Sequence, residues 1–263
     1  MRKFQTTLLF DLDGTLIDST PAILDGFHYA FAHFGAADPS DEAIKRLIGH
    51  PLEVMFERLG ATQDVRDFVL AYKQRYEQIF LDQTVLLSGA YEAVREASEF
   101  ANLGVVTTKT SKFSKILLQH LGIAEFFGTI IGREDVQNPK PSAEPILKAL
   151  ENLGIYSGIS GENFSEIPRR NLNENSGKNS AEILSKNFSK ARAVNLDEAC
   201  DFCEVFMIGD TQLDALAAKS AAVRSVGVCC GYGSAAELEA CCEFVCEDIK
   251  EAVKLIRQVL KRA

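Results

Sequence analysis

The residues best suited to chemistry lie in four places. Asp11 and Asp13 stand one residue apart at the end of an apolar run, Thr6–Phe10, and Gly14 follows them. Thr107 and Thr108 close a second apolar run. Lys140 sits inside Asn138-Pro139-Lys140-Pro141, and Asp210 and Asp214 belong to Gly209-Asp210-Thr211-Gln212-Leu213-Asp214. Carboxylates without His or Cys partners are hard oxygen ligands suited to magnesium. A carboxylate can also attack phosphorus and form an aspartyl-phosphate. Such a transfer needs positive charge around the phosphoryl oxygens, which a magnesium ion, Lys140, the Thr107 hydroxyl and backbone amides after Asp11 would supply. A second carboxylate could protonate the leaving oxygen and later deprotonate water. Each piece also has a plainer reading. Asp13-Gly14 is a common turn, either threonine could cap the next helix, Lys140 could be a loop lysine, and Asp210 and Asp214 could be a helix cap and a solvated helix residue. Together the four fit metal-assisted phosphoester hydrolysis.

The elements that must position these groups follow from periodicity. Strands are expected near 6–10, 103–108, 127–132, 204–208, 223–229 and 244–246, and helices over 90–100, 111–121, 143–153, 211–221, 235–240 and 249–260. Alternation of that kind implies an α/β fold, a doubly wound, Rossmann-like parallel sheet with helices on both faces. The site residues then fall at the carboxyl ends of strands, where such sheets bind ligands. Residues two apart on an extended strand share a face, so Asp11 and Asp13 can reach one site. Between the first strand and the rest, helical patterns over 22–34, 38–47, 52–59 and 63–81, broken at Gly49-His50-Pro51 and Gly60, predict an inserted all-helical cap. The expected division is a core of residues 1–17 and 85–263, a cap of 18–84, and within the core an Asn/Ser-rich insertion over 156–197, read as flexible surface padding.

The chain's 263 residues allow a full core plus an inserted domain. A net charge of -9 argues against non-specific binding to nucleic acid or an anionic membrane. No run approaches the ~20 apolar residues of a membrane span, and the start enters a strand directly, so a cytoplasmic protein without a signal peptide is expected. All seven cysteines fall between Cys200 and Cys246. A zinc site on Cys200 and Cys203 is conceivable, but small apolar packing residues are the preferred reading, since no second well-spaced pair accompanies them.

In this order and spacing the four pieces resemble the motifs of the haloacid dehalogenase superfamily. The helical insert and Leu47-Ile48-Gly49-His50-Pro51-Leu52 resemble the cap and cap substrate loop of its phosphoglycolate phosphatase-like branch. The resemblance implies Asp11 as nucleophile, Asp13 as general acid/base, and Thr107 and Lys140 as holders of the phosphoryl group. It implies magnesium held by Asp11, Asp210 and the Asp13 carbonyl, with Asp214 in support. Thr108, Gly49 and His50 would contact substrate, although Thr108 stands where many relatives carry Asn. The implied enzyme is a magnesium-dependent phosphatase acting on a small phosphorylated metabolite, phosphoglycolate being the best single candidate, as a monomer or weak homodimer. Asp13 argues against a dehalogenase, which has no leaving alkoxide to protonate. The absence of a lysine beside Gly49 argues against a Schiff-base phosphonate hydrolase. The alternatives are a nucleotide or pyrophosphate phosphatase, a sugar phosphomutase, or a non-catalytic module docking a partner through the 156–197 insertion.

Overall fold

A computed structural model describes residues 4–61, 64–155 and 204–261. The 156–197 insertion and the Cys200/Cys203 pair lie outside the described residues. The strands are β1 (Thr6–Phe10), β2 (Ile17–Asp18), β3 (Val85–Leu86), β4 (Ala101–Val106), β5 (Thr129–Ile131), β6 (Val205–Gly209), β7 (Arg224–Val228) and β8 (Phe244–Cys246). Among the described residues, six of them form a parallel sheet in the order β5-β4-β1-β6-β7-β8. β1 is buried along its whole length, which is why it reads as a continuous apolar run rather than an alternating one. Leu8 and Phe10 face one cluster, with residues of α5 (Ala90–Ser98), α6 (Ser111–His120) and α10 (Ile249–Leu260). Leu9 faces the other, with residues of α7 (Glu144–Asn152) and α8 (Gln212–Ser220). A short α9 (Ala235–Glu239) precedes β8.

The register sets the strand tips level. Phe10 pairs with Val105 on one side and Ile208 on the other, and Gly209 pairs with Gly227. The residues just past those tips are Asp11, Thr107 and Asp210. The connections from β1 and β6 leave toward opposite edges of the sheet, so the crevice between their carboxyl ends is its switch point.

Four helices lie between β2 and β3: α1 (Thr20–His33), α2 (Asp41–Lys45), α3 (Leu52–Arg58) and α4 (Val65–Ile79). Their interior is aromatic. Phe27 packs on Phe56 at 4.5 Å between ring centroids, and Phe31 on Phe68 at 5.2 Å. The Tyr72 ring occupies the space a side chain at Gly26 would need, which lets α1 and α4 pack closely. β2 and β3 pair antiparallel, Ile17 with Leu86 and Asp18 with Val85, and so tie together the two chain crossings into this helical layer. Two-residue strands carry no periodicity, and the sequence reading did not include them. The α2 helix is shorter than expected because the Ser40 hydroxyl caps it, accepting from the Ala43 N–H at 3.3 Å. Among the described residues no helix is long and apolar enough to cross a membrane.

Candidate active site

Asp11 begins where β1 ends. Its N–H donates to the Ile208 carbonyl at 2.8 Å, and the chain then turns through Leu16 N–H to Leu12 O at 2.9 Å. Gly14 has φ +79°, and a Cβ there would lie 2.4 Å from Asp210 Oδ2. Both facts require glycine at this position.

Asp11, Asp210 and Asp214 are buried, and one carboxylate oxygen from each lies within 4.8 Å of the others. Asp210 is held by neutral donors. Thr15 Oγ1 donates to Oδ1 at 3.1 Å, and the Tyr232 N–H to Oδ2 at 2.7 Å. Asp214 Oδ2 accepts from the N–H and hydroxyl of Thr211 at 3.1 and 2.8 Å, and Oδ1 from Lys140 Nζ at 2.6 Å. Lys140 Nζ also donates to the Val106 carbonyl at 3.2 Å. It also lies 2.8 Å from Asp11 Oδ1, a buried ion pair. One ammonium thus faces three buried carboxylates. Burial pushes the Asp11 carboxyl up to about 7, with Lys140 opposing and Asp214 adding to the rise. Burial, then the charges of Asp11 and Asp214, hold Asp210 well above its ordinary value. Burial alone would lower the Lys140 ammonium, but the two carboxylates beside it raise it above the usual lysine range.

The Asp13 carboxylate turns away from this group. It accepts from the Ser19 hydroxyl, and its Oδ2 lies 3.0 Å from Lys109 Nζ. Lys109 in turn sits 4.8 Å from the centre of the Tyr76 ring on α4. Asp13 and Lys109 line a cavity of about 70 Å³ between the helical layer and the strand tips, and Gly49, His50 and Thr108 line it too.

The Thr107 N–H donates to the Ile131 carbonyl at 2.9 Å, and its hydroxyl accepts from the Lys109 N–H at 3.2 Å. The Thr108 hydroxyl donates to the Gly49 carbonyl at 3.0 Å, so it ties the loop after α2 to the end of β4. Gly49, at φ +102°, also packs on Thr211, where a Cβ would lie 3.2 Å from the Thr211 methyl. His50 is held through Nδ1 by the Leu47 carbonyl at 3.1 Å and through Nε2 by Arg58 Nη1 at 3.1 Å, a pattern that requires a neutral ring protonated on Nδ1. Burial and then the Arg58 charge pull its pKa down. The helix after Thr107 and Thr108 is not capped by either. Glu134, from the turn after β5, accepts from Ser111 N–H at 2.9 Å and Lys112 N–H at 3.3 Å.

Two contributors had no assigned role in the sequence reading. Lys109 follows a pair of hydroxyl residues at a strand end, and only the fold shows that it reaches Asp13. The loop Gly231-Tyr232-Gly233 after β7 closes over Asp210, and a Cβ on Gly231 would meet Asp210 Oδ2 at 2.1 Å. Its signal was a Gly-x-Gly after an apolar strand. Gly231→Ala should therefore displace the Asp210 carboxylate and lower phosphate release about 10–100-fold while the fold persists. Phosphate release and far-UV circular dichroism on the same preparation check this.

A switch-point crevice that gathers carboxylates and a buried ammonium at the strand tips, beneath an inserted helical layer, is an arrangement suited to phosphoryl transfer. The chain belongs to the haloacid dehalogenase-like hydrolases: that family's model matches residues 8–158, and a second HAD-hydrolase-like model matches residues 176–252. It is a phosphatase of that family. Pyrophosphatase PpaX of Bacillus velezensis is 26% identical over 227 residues, covering 86% of this chain and 84% of that protein. Phosphoglycolate phosphatase of Yersinia pseudotuberculosis is 29% identical over 167 residues, covering 60% and 72%. A haloacid dehalogenase-like family hydrolase from Streptococcus pneumoniae superposes with a TM-score of 0.70 at 22% identity, covering 95% of this chain and 98% of that one.

Proposed function

We propose that the protein is a magnesium-dependent phosphatase for a small phosphorylated metabolite, with Asp11 as nucleophile and Asp13 as general acid and base. The observation that carries this reading is the division of labour between the two carboxylates. Asp11 is buried with Lys140 Nζ 2.8 Å from its Oδ1, whereas Asp13 faces the cavity where a leaving group would sit.

The residues fit a divalent cation. Three buried carboxylates against one ammonium leave a negative excess that an ion would neutralise, and an all-oxygen donor set suits magnesium. Asp11 and Asp210 would hold it, with the Asp13 carbonyl and Asp214 in support. When bound it supplies positive charge to the phosphoryl oxygens.

The chain's own residues carry the steps. An Asp11 oxygen forms the bond to phosphorus as the bond to the leaving oxygen breaks, and Asp13 gives that oxygen its proton. Asp13, now ionised, takes a proton from water. The resulting hydroxide attacks phosphorus, and the Asp11 carboxylate is released. Lys140 holds the phosphoryl oxygens, and Lys109 and Ser19 orient Asp13. The layer over the cavity excludes bulk water, helped by the Thr108 bond to Gly49.

Relatives carry the names pyrophosphatase and phosphoglycolate phosphatase, which makes inorganic pyrophosphate and phosphoglycolate the two substrates to compare. The test is phosphate release from a panel containing both. Release should require magnesium, stop with a chelator, and return when magnesium is restored. Release that persists undiminished in chelator would overturn the metal assignment.

A further inference from the structure

The cavity holds a cation that the steps above do not use. Besides two tyrosines, its titratable lining is Asp13, His50, Glu53, Lys73, Lys109 and Arg133. Lys109 is paired with Asp13, and His50 is neutral and satisfied. Of the other two cations, Lys73 and Arg133, Arg133 is the one that carries a buried nitrogen without an acceptor among the described residues.

Arg133 lies in the turn after β5. Its N–H donates to the Lys109 carbonyl at 3.0 Å, so the two basic side chains leave adjacent strand ends and enter one cavity. Its Nη1 donates to the Val136 carbonyl at 3.2 Å. Its Nε is buried and has no acceptor, and no carboxylate among the described residues lies within ion-pair distance of the guanidinium. The acids beside it in sequence are engaged elsewhere. Glu134 accepts from Ser111 and Lys112, and Asp135 from the Gly132 N–H at 2.8 Å. A buried guanidinium N–H without an acceptor is costly, and its planar fork matches an oxyanion. Around it, Phe27, Met55 and Tyr72 give the cavity apolar walls, which strengthen an ionic contact by excluding water.

We propose that Arg133, flanked by Lys109, forms an anion subsite for the leaving group. The enzyme then prefers phosphate substrates whose leaving group bears a negative charge of its own, a carboxylate or a second phosphate. This rests on the phosphatase reading and adds the substrate class and the residue that selects it.

The experiment measures kcat/KM for 2-phosphoglycolate, inorganic pyrophosphate and the neutral-leaving-group ester ethyl phosphate, using the wild-type chain, Arg133→Met and Arg133→Lys. The preference for the charged substrates over ethyl phosphate should fall about 10–100-fold in Arg133→Met, mostly through KM, and recover in part in Arg133→Lys. Whichever charged substrate loses more identifies the oxyanion as carboxylate or phosphate. A preference within threefold of wild type in Arg133→Met overturns the proposal. Calorimetric binding of 2-phosphoglycolate to Asp11→Asn, with and without Arg133→Met, gives a readout that needs no turnover. A loss of affinity supports the subsite, and equal affinity overturns it. Wild-type chain that hydrolyses none of the three would overturn the phosphatase reading, and the calorimetry would then decide the subsite alone.

Discussion

Asp11→Asn abolishes phosphate release, by roughly 10⁴-fold or more, and at the same time makes the metal-free protein more stable at neutral pH. The first half follows from removing the proposed nucleophile. The second half follows from the electrostatics of the crevice. Burial pushes the Asp11 carboxyl up to about 7, against an ordinary value of 3.8. The unfolded chain therefore releases this proton near its ordinary pKa, while the native chain keeps it until about 7. Between those values the native state binds more protons, so stability falls as pH rises through the window and is lowest above it. The penalty from Asp11 is on the order of 4 kcal/mol at neutral pH, and Asp210, which the same cluster raises, acts in the same direction. An amide at position 11 removes one carboxylate and leaves Lys140 paired with Asp214. In chelator, the Tm of Asp11→Asn should exceed that of wild type at pH 7–8, and the two should converge toward pH 4. Adding magnesium should raise wild-type Tm more than that of the variant, since the variant has lost a ligand. A variant less stable than wild type at neutral pH without metal would show that Asp11 is a structural partner of Lys140 rather than a strained catalytic group.

The parts of this site legible in the sequence are those that the sheet itself dictates. Parallel core strands are buried on both faces, so Leu8-Leu9-Phe10 and Phe206-Met207-Ile208 stand out as apolar runs, and the residues that end them are the polar groups of the crevice. Where tertiary pairing competes with local propensity, the reading drifts. The helix expected over 90–100 stops at Ser98, and β4 begins at Ala101 rather than 103, because Ala101 pairs with Thr6 of β1 although alanine favours helix. Side-chain direction is legible least of all. Thr107 and Thr108 are adjacent hydroxyls, but one supports the turn at Lys109 and the other bonds the Gly49 carbonyl. Nothing local distinguishes them. Lys109 and Asp13 are joined only by the folded chain, and the Tyr232 donor to Asp210 is a backbone amide, which carries no residue signature.

Lys140→Met should be the most destabilising single change at the site and should also cost about 10²–10³-fold in activity. Lys140 is 3% exposed, and its ammonium is the cation in direct contact with Asp11 and Asp214, at 2.8 and 2.6 Å. Methionine fills similar volume, so the loss is of charge rather than packing. Removing one partner of a buried ionic cluster leaves the others uncompensated, at a cost of roughly 3–5 kcal/mol. Here Asp11, Asp210 and Asp214 would face one another with no ammonium among them. Two conditions should restore stability, and both follow from the charge. Lowering the pH toward 4 protonates Asp11 and Asp210, which burial raises, and a divalent cation neutralises the cluster directly. Denaturant unfolding of Lys140→Met at pH 7 and pH 4, each with chelator and with magnesium, checks both. Activity should not return with magnesium, because an ion held by the carboxylates does not replace a donor held beside Asp11, the proposed nucleophile. Double substitution provides the remaining control. Asp11→Asn should stabilise the Lys140→Met background by more than it stabilises wild type, since the pair interacts and its effects cannot add. Strict additivity would mean that the 2.8 Å contact between Lys140 and Asp11 contributes nothing to the fold, and Lys140 would then act on Asp214 alone.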